Sequence, residues 1–303
     1  MTGATSFIGR ALCRCLRDSG HEVLALIRPS SSLAGLFAGE PGIRPVLSGV
    51  ADCESALLPL GPIDAVIHLA WDGIGSQGRA DAGIQAANYR HSMNLVTTAA
   101  RVGCRVFVGG GSQAEYGRVA GVITEESRCD PLSEYGKAKL RFTVDGGRLC
   151  RERGLRCRMP RLFSVYGPGD HPWALLPSLV QALAAGQVLP LTDCRQSWNY
   201  LYVEDAARAL AALVAPACED GIYNVASEVT RPLEEFVRVV CGFFPGSPPP
   251  HFGAIPHGPD GPLSLQPQIT RLRRNTSWQE QTTFAEGIRT MLPSRDPAPP
   301  SEK

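Results

Sequence analysis

A glycine-rich turn at the start of the chain constrains its fold more than any other feature. Thr2-Gly-Ala-Thr-Ser-Phe-Ile-Gly9 runs straight into a segment whose apolar residues Ile8, Ala11, Leu12, Cys15 and Leu16 follow helical spacing up to Gly20. Gly3 and Gly9 allow a tight bend and a close backbone approach, and the helix start behind them offers unpaired N–H groups. Such a turn belongs to a strand–helix unit, and the chain continues as a series of them. Glu22–Ile27, Arg44–Leu47, Asp64–Ala70, Cys104–Val108 and Arg156–Phe163 read as strands, with helices over about 80–102 and 134–153.

Strands alternating with helices predict an α/β fold, a Rossmann-like doubly wound parallel sheet. The pattern changes after Tyr166-Gly-Pro-Gly169, where helices over about 173–185, 204–214 and 232–243 alternate with short strands at 199–203 and 221–226. The expected division is a dinucleotide-binding domain over 1–165, which also receives part of about 195–228. A smaller C-terminal α/β substrate domain covers 166–292, with a last helix over 283–292 and a disordered tail over 293–303. Residues 245–262 are rich in Pro and Gly and read as a loop. The strand that should precede the turn at residue 2 is missing from the sequence. A misplaced start codon is the preferred explanation, and a compromised sheet the other.

The turn, a helix, and then a strand ending about 20 residues later match a dinucleotide site. Ser6 stands where the third small residue is usually Gly, and its hydroxyl could reach a phosphate. Arg28 ends the second strand 19 residues past Gly9 and is followed by Ser30, Ser31 and Ser32. An acidic residue there would bind the ribose hydroxyls of NAD; an arginine suits a 2′-phosphate, so NADP is preferred over NAD. A solvated arginine at a strand end is the plain alternative.

The 30 basic and 29 acidic residues exclude a strongly basic nucleic-acid footprint and a polybasic membrane anchor. No apolar run reaches the ~18 residues of a membrane span, and the N-terminus lacks a signal-peptide layout. The ten cysteines are scattered without a CxxC, which predicts reduced thiols in a soluble cytoplasmic protein and no metal site.

Only three of the basic residues are lysines, Lys137, Lys139 and Lys303. Two of them lie in Tyr135-Gly-Lys-Ala-Lys139, which puts Tyr135 and Lys139 on one helix face. With seven tyrosines, chance would give only about 0.07 such matches in the chain. A cation near a phenol favours tyrosinate and brings it into range for general acid–base work at a carbinol or ketone. Ser112, 23 residues upstream and just past a strand, could hydrogen-bond the same reacting oxygen. Ser112, Tyr135 and Lys139 are therefore the candidate catalytic residues.

These motifs together resemble the extended short-chain dehydrogenases/reductases, the NAD(P)-dependent epimerase/dehydratase family that modifies nucleotide sugars. The resemblance covers nearly the whole chain. Thr2–Gly9 resembles the family's TGxxGxxG, which implies cofactor contacts from Gly3, Thr5, Ser6, Phe7, Ile8 and Gly9. Ile67-His-Leu-Ala70 resembles the strand beside the cofactor, implying Leu69 and Ala70. Asn88 matches a frequent family asparagine. Gly111–Gly117 resembles the segment holding the catalytic hydroxyl, and Arg161–Pro168 resembles R-x-F-N-V-Y-G-P, implying Leu162. Gln196–Asp205 resembles Q-x-R-D-F-x-Y-V-x-D, and Ser277-Trp278 with Phe284–Ile288 resembles the family's closing segment. Arg28, Tyr135 and Lys139 complete the implied cofactor set. The resemblance also implies a homodimer through the helices holding Asn88 and Tyr135.

Departures from the family pattern narrow the reaction. Family dehydratases carry Asp-Glu after the catalytic hydroxyl; here Gln113 and Ala114 stand there, which argues against a 4,6-dehydratase. Reduction of a nucleotide-linked 4-keto-(6-deoxy)hexose by NADPH is the favoured reading because of Arg28. A 4-epimerase with tightly bound NAD remains an alternative. A non-catalytic cofactor-binding relative is another, suggested by the missing strand, Ser6, and Gly49 where relatives often place an adenine-reading Asp. Candidate substrate contacts are Gln113, Ser164 (often Asn in the family), His171, Trp198 (often Arg) and Asn199, with Tyr202 a further possibility.

Overall fold

The computed structural model describes residues 1–258 and 261–293; the tail expected to be disordered lies, apart from Pro293, outside the described residues. In chain order the strands are β1 (Val23–Ile27), β2 (Ile43–Leu47), β3 (Ala65–His68), β4 (Val106–Gly109), β5 (Gly111–Ser112), β6 (Arg156–Leu162), β7 (Ser164–Tyr166), β8 (Ser197–Tyr202), β9 (Gly221–Val225) and β10 (Thr230–Pro232). The α-helices are α1 (Phe7–Asp18), α2 (Cys53–Leu57), α3 (Ser76–Ala80), α4 (Ala82–Arg101), α5 (Glu134–Glu152), α6 (Leu175–Ala184), α7 (Val203–Ala212), α8 (Leu233–Cys241), α9 (Thr270–Asn275) and α10 (Phe284–Arg289).

The main sheet is parallel throughout. β2 pairs with β1, β3 with β4, β4 with β6, and β6 with β9, while β5 continues the line of β4 against the far end of β6. Between β1 and β3, where a central strand is expected, stand only Met1 and Thr2. Thr2 bridges Leu26 on one side and His68 on the other. The Met1 ammonium donates to the Leu24 carbonyl at 2.6 Å, and Thr2 N–H donates to the Ile67 carbonyl at 2.9 Å. The chain builds outward from this point in both directions, so Thr2 sits at the topological switch, where open α/β sheets form their crevice.

Strand residues alternate between two faces, and both faces are buried. Ala25, Ile27, Ile67 and Val108 join Leu12 and Leu16 of α1 and Ala206 and Leu210 of α7 in one cluster. Leu26, Val66, Phe107 and Met159 join Leu95 and Ala99 of α4 and Phe142 of α5 in the other. A second, three-stranded sheet runs β10-β8-β7 and packs with α6 and α8 around Leu176, Leu179, Val237 and Val240.

Polar contacts fix two junctions. His68 is buried with Nδ1 2.7 Å from the Thr2 hydroxyl and Nε2 2.8 Å from Ser92 Oγ. Ser92 spends its proton on the Asn88 carbonyl at 2.7 Å, so it accepts from Nε2–H, and Nδ1 accepts from Thr2. Burial, aided by the charge of Lys139, pushes the His68 imidazole down to about 3, so it stays neutral. At the other junction Asp205 is fully buried at the start of α7. Its carboxylate accepts from Gln281 N–H at 2.8 Å and Thr282 N–H at 3.0 Å and pairs with Arg208, while its carbonyl accepts from the Trp278 indole at 2.9 Å.

Removing that buried carboxylate leaves two part-buried amides and a guanidinium without their partner. Asp205→Ala is expected to cost about 3 kcal/mol or more in urea unfolding and to speed amide exchange over 276–283. Unchanged exchange there would mean Asp205 does not hold that segment.

Candidate functional site

A cavity of about 580 Å³ opens at the carboxyl ends of β1, β3, β4 and β6. One end is lined by Gly3, Thr5, Ser6, Phe7, Ile8 and Arg28, the middle by Leu69, Ala70, Asn88 and Leu162, and the other end by Ser112, Tyr135 and Lys139. Of the sequence-predicted cofactor residues only Gly9 lies off the wall. It is built into the turn instead: a Cβ there would stand 2.0 Å from the Gly3 carbonyl oxygen. Gly3 adopts φ +70°, and a Cβ on it would meet the Ala70 backbone nitrogen at 2.7 Å. Neither position accepts a larger residue, and together they leave the start of α1 open to the cavity. This fits a pyrophosphate, which needs close backbone approach and free helix N–H groups.

Ser6, on the cavity wall, also caps α1: its hydroxyl oxygen accepts Gly9 N–H at 3.1 Å, which leaves its proton free to donate. Asn88 clamps the loop after β3: its amide oxygen accepts from Asp72 N–H at 3.0 Å and its amide nitrogen donates to the Asp72 carbonyl at 2.9 Å. Arg28 pairs with Asp72 across the cavity mouth at 2.8 Å, and both side chains are more than half exposed.

Ser112, Tyr135 and Lys139 come from three segments. Ser112 closes β5 and caps a 3₁₀ turn, Gln113–Glu115, by accepting Ala114 N–H at 3.2 Å. Its own N–H donates to Glu115 Oε1 at 2.8 Å, and Glu115 is fully buried against Arg161 at 2.8 Å. With its oxygen accepting from Ala114, the Ser112 hydroxyl proton is free to point into the cavity. Tyr135 opens α5 one residue before Gly136, where a Cβ would lie 2.5 Å from the Ala114 carbonyl oxygen. The glycine thus lets α5 press against the Ser112 turn, and Ser112 and Tyr135 line the cavity side by side. Burial raises the Tyr135 phenol above its ordinary value; the Ser112 hydrogen bond and the charge of Arg79 pull it down, and Glu115 pushes it up.

Lys139 shares the cavity wall with Tyr135 and has two nearer partners. Its ammonium donates to the Gly110 carbonyl at 2.6 Å and lies 3.7 Å from the Trp71 ring, but 5.9 Å from that of Tyr135. Burial pushes the ammonium down to about 7, against the pull of Glu115. The cation on Tyr135 is Arg79, 4.3 Å from the ring centroid. Sequence reasoning missed both Trp71 and Arg79. The one available signal was that Arg79 is the only Lys or Arg between Ala70 and Asn88.

The expected substrate contacts divide. His171 lines the cavity and stacks on the exposed Trp173 at 4.8 Å. Gln113, Ser164, Trp198 and Asn199 do not line it. Asn199 is wholly structural: fully buried, it donates to the Ser227 and Val229 carbonyls and accepts Ser227 N–H. Ser164 and Trp198 lie on paired strands, Ser164 opposite Tyr200 and Trp198 opposite Arg231. Gln113 has its amide oxygen buried in the turn after β5. Tyr202 bonds Thr290 at 3.2 Å. Among the described residues no group of three or more His, Cys, Asp or Glu is placed to hold a metal ion, and no helix is long and apolar enough to cross a membrane.

The model of the NAD dependent epimerase/dehydratase family matches residues 1–226. A trifunctional UDP-glucose 4,6-dehydratase/UDP-4-keto-6-deoxy-D-glucose 3,5-epimerase/UDP-4-keto-L-rhamnose-reductase of Arabidopsis thaliana is 24% identical over 307 residues. The match takes in 96% of this chain and 46% of that relative, so the chain spans less than half its length. Among solved structures, the UDP-N-acetylglucosamine 4-epimerase of Methanobrevibacter ruminantium, in complex with UDP-N-acetylmuramic acid, superposes with TM-score 0.85 at 21% identity, covering 96% of this chain and 95% of that one. The dTDP-glucose 4,6-dehydratase DesIV of Streptomyces venezuelae, with NAD and TYD bound, superposes with TM-score 0.81 at 24% identity, covering 96% and 94%. At these identities the superpositions establish the fold.

The buried ammonium has a stability signature. An unfolded chain holds the Lys139 proton up to its ordinary value of 10.5, whereas the folded chain releases it near 7, so between about 7 and 10.5 this group makes stability rise with pH. Measured by urea unfolding, the stability of Lys139→Met minus that of wild type should therefore fall as pH rises through that window. A pH-independent difference would mean the ammonium is not desolvated.

Proposed function

Because the chain belongs to the NAD dependent epimerase/dehydratase family, we propose that it is an NAD(P)-dependent oxidoreductase acting at C4 of a nucleotide-linked hexose, reducing a 4-keto-(6-deoxy) sugar with NADPH. The observation that carries this reading is the convergence of Ser112, Tyr135 and Lys139 at one end of a cavity whose other end is the glycine turn. The bound nicotinamide would supply the hydride. Gly3 and the start of α1 would hold its pyrophosphate, and the ammonium N–H groups of Lys139 beyond the one spent on Gly110 would hold ribose hydroxyls. Tyr135, kept as a neutral phenol by burial, passes its proton to the oxygen at C4. Ser112 donates a hydrogen bond to the same oxygen, stabilising the charge that develops on it. Gln113 and Ala114 offer no acid or base for dehydration, and Glu115 is held by Arg161.

Arg28 supports NADPH as the partner. An exposed ion pair such as Arg28–Asp72 is worth only about 0–1 kcal/mol, so a 2′-phosphate can displace the carboxylate from it. His171 with Trp173 is the substrate contact that remains of those the sequence suggested. The same reading includes a homodimer through α4 and α5, supported by the exposed Val144 on α5.

The test mixes purified protein with NADPH and nucleotide-linked 4-keto-6-deoxy sugars and follows nicotinamide absorbance. Consumption of NADPH, lost by at least about 100-fold in Tyr135→Phe with cofactor binding retained, is the expected result. Interconversion of 4-hydroxy epimers without net cofactor use would replace reduction by epimerisation, and cofactor binding without any turnover would favour a non-catalytic relative. Arg28→Ala should raise KM for NADPH about tenfold and leave that for NADH near its starting value; equal effects on both would remove the 2′-phosphate role.

A further inference from the structure

Arg79 is held over the reacting end of the cavity by a compact loop. Trp71 to Ala80 folds back on itself so tightly that a Cβ on Gly78 would stand 2.4 Å from Gly73 Cα. Gln85, buried on α4, ties the loop together: its amide nitrogen donates to the Gly73 and Gly78 carbonyls at 3.2 and 2.8 Å, and its oxygen accepts from the Trp71 indole at 2.7 Å. Arg79 follows Gly78, lines the cavity, and lays its guanidinium on one face of the Tyr135 ring. Trp71 meets the same ring edge-on at 6.2 Å. The phenol is therefore oriented by two groups of one loop.

The charges around Tyr135 are committed elsewhere, except this one. From α5 itself, Lys139 is spent on Gly110 and the Trp71 ring, and Glu134 and Lys137 pair with each other. From the turn after β5, Glu115 is paired with Arg161. From the loop after β3, Asp72 is paired with Arg28. Arg79 has no carboxylate within 4.0 Å among the described residues. A guanidinium also keeps its charge at every pH the protein meets, which the buried ammonium of Lys139 does not.

We infer that Arg79 is the positioning residue for Tyr135: held by its loop, it fixes the phenol ring by stacking and keeps a permanent positive charge beside it. The inference rests on Tyr135 being the proton donor of the proposed reaction. Arg79 acts through the ring and not on the substrate, so its loss weakens the acid more than it weakens binding.

The experiment records phenolate absorbance against pH for the cofactor-free protein, with the step missing from Tyr135→Phe taken as that of Tyr135. Arg79→Gln should move this step to higher pH, Arg79→Lys should return it toward wild type, and Lys139→Met should leave it near its starting place. In steady state, Arg79→Gln should lower kcat for 4-keto sugar reduction at pH 7 about tenfold, with KM for the nucleotide sugar within about threefold and the basic limb of the rate profile displaced upward. A Tyr135 step unmoved by Arg79→Gln, or moved equally by Lys139→Met, overturns the inference. So does a rise in KM alone, which would make Arg79 a substrate contact. Full turnover in Tyr135→Phe would instead overturn the proton donor, whatever the absorbance titration shows. Should the glutamine variant fail to fold, wild-type behaviour in a folded Arg79→Met variant overturns the inference equally.

Discussion

The site depends on one chain of hydrogen bonds: the Asn88 carbonyl accepts from Ser92, Ser92 from His68, and His68 from Thr2. Thr2 in turn accepts from the backbone of Ala70 at 3.2 Å. The chain joins α4, β3 and the glycine turn at the switch point of the sheet, where backbone pairing on either side amounts to single bridges. These side chains carry positional information across that joint, from α4 through β3 to the glycine turn. A neutral imidazole suits the task, since it accepts from one side and donates to the other without a buried charge.

From that anchor the cavity is divided by function. Backbone governs the turn end, where Gly3 and Gly9 leave no room for side chains and α1 presents its start. Charge governs the other end, where Lys139, Arg79, Glu115 and Arg161 lie within a few side chains of Tyr135. Burial raises the electrostatic stakes, because a low dielectric strengthens each pairing and penalises each charge left alone. The observed arrangement pairs Glu115 with Arg161, turns Lys139 to a carbonyl and an indole, and leaves Arg79 facing the phenol.

Much of this was legible in the sequence. The parallel sheet followed from apolar strands alternating with amphipathic helices, and the turn from glycine spacing. Ser112 and Tyr135 could be named because the Tyr135–Lys139 spacing is rare by chance and Ser112 stands just past a strand upstream of it. One residue was given the wrong task. Asn199 looked like a ligand contact, yet it lies off the cavity wall and spends its polar atoms on a strand junction. Short polar side chains serve backbone and ligand by the same hydrogen bonds, so residue type alone does not separate the two uses.

The sequence by itself determined the order of elements, both faces of the sheet, the dinucleotide turn, and the helix face shared by Tyr135 and Lys139, because these follow from local periodicity and backbone sterics. Only the tertiary structure decided where the charges point. An i, i+4 spacing sets which face two residues share but not the rotamer of a four-carbon side chain, and the Gly110 carbonyl and the Trp71 ring that capture Lys139 come from other segments. Arg79 reaches Tyr135 from 56 positions away in the chain. Contacts between distant segments depend on packing, and packing belongs to the folded molecule.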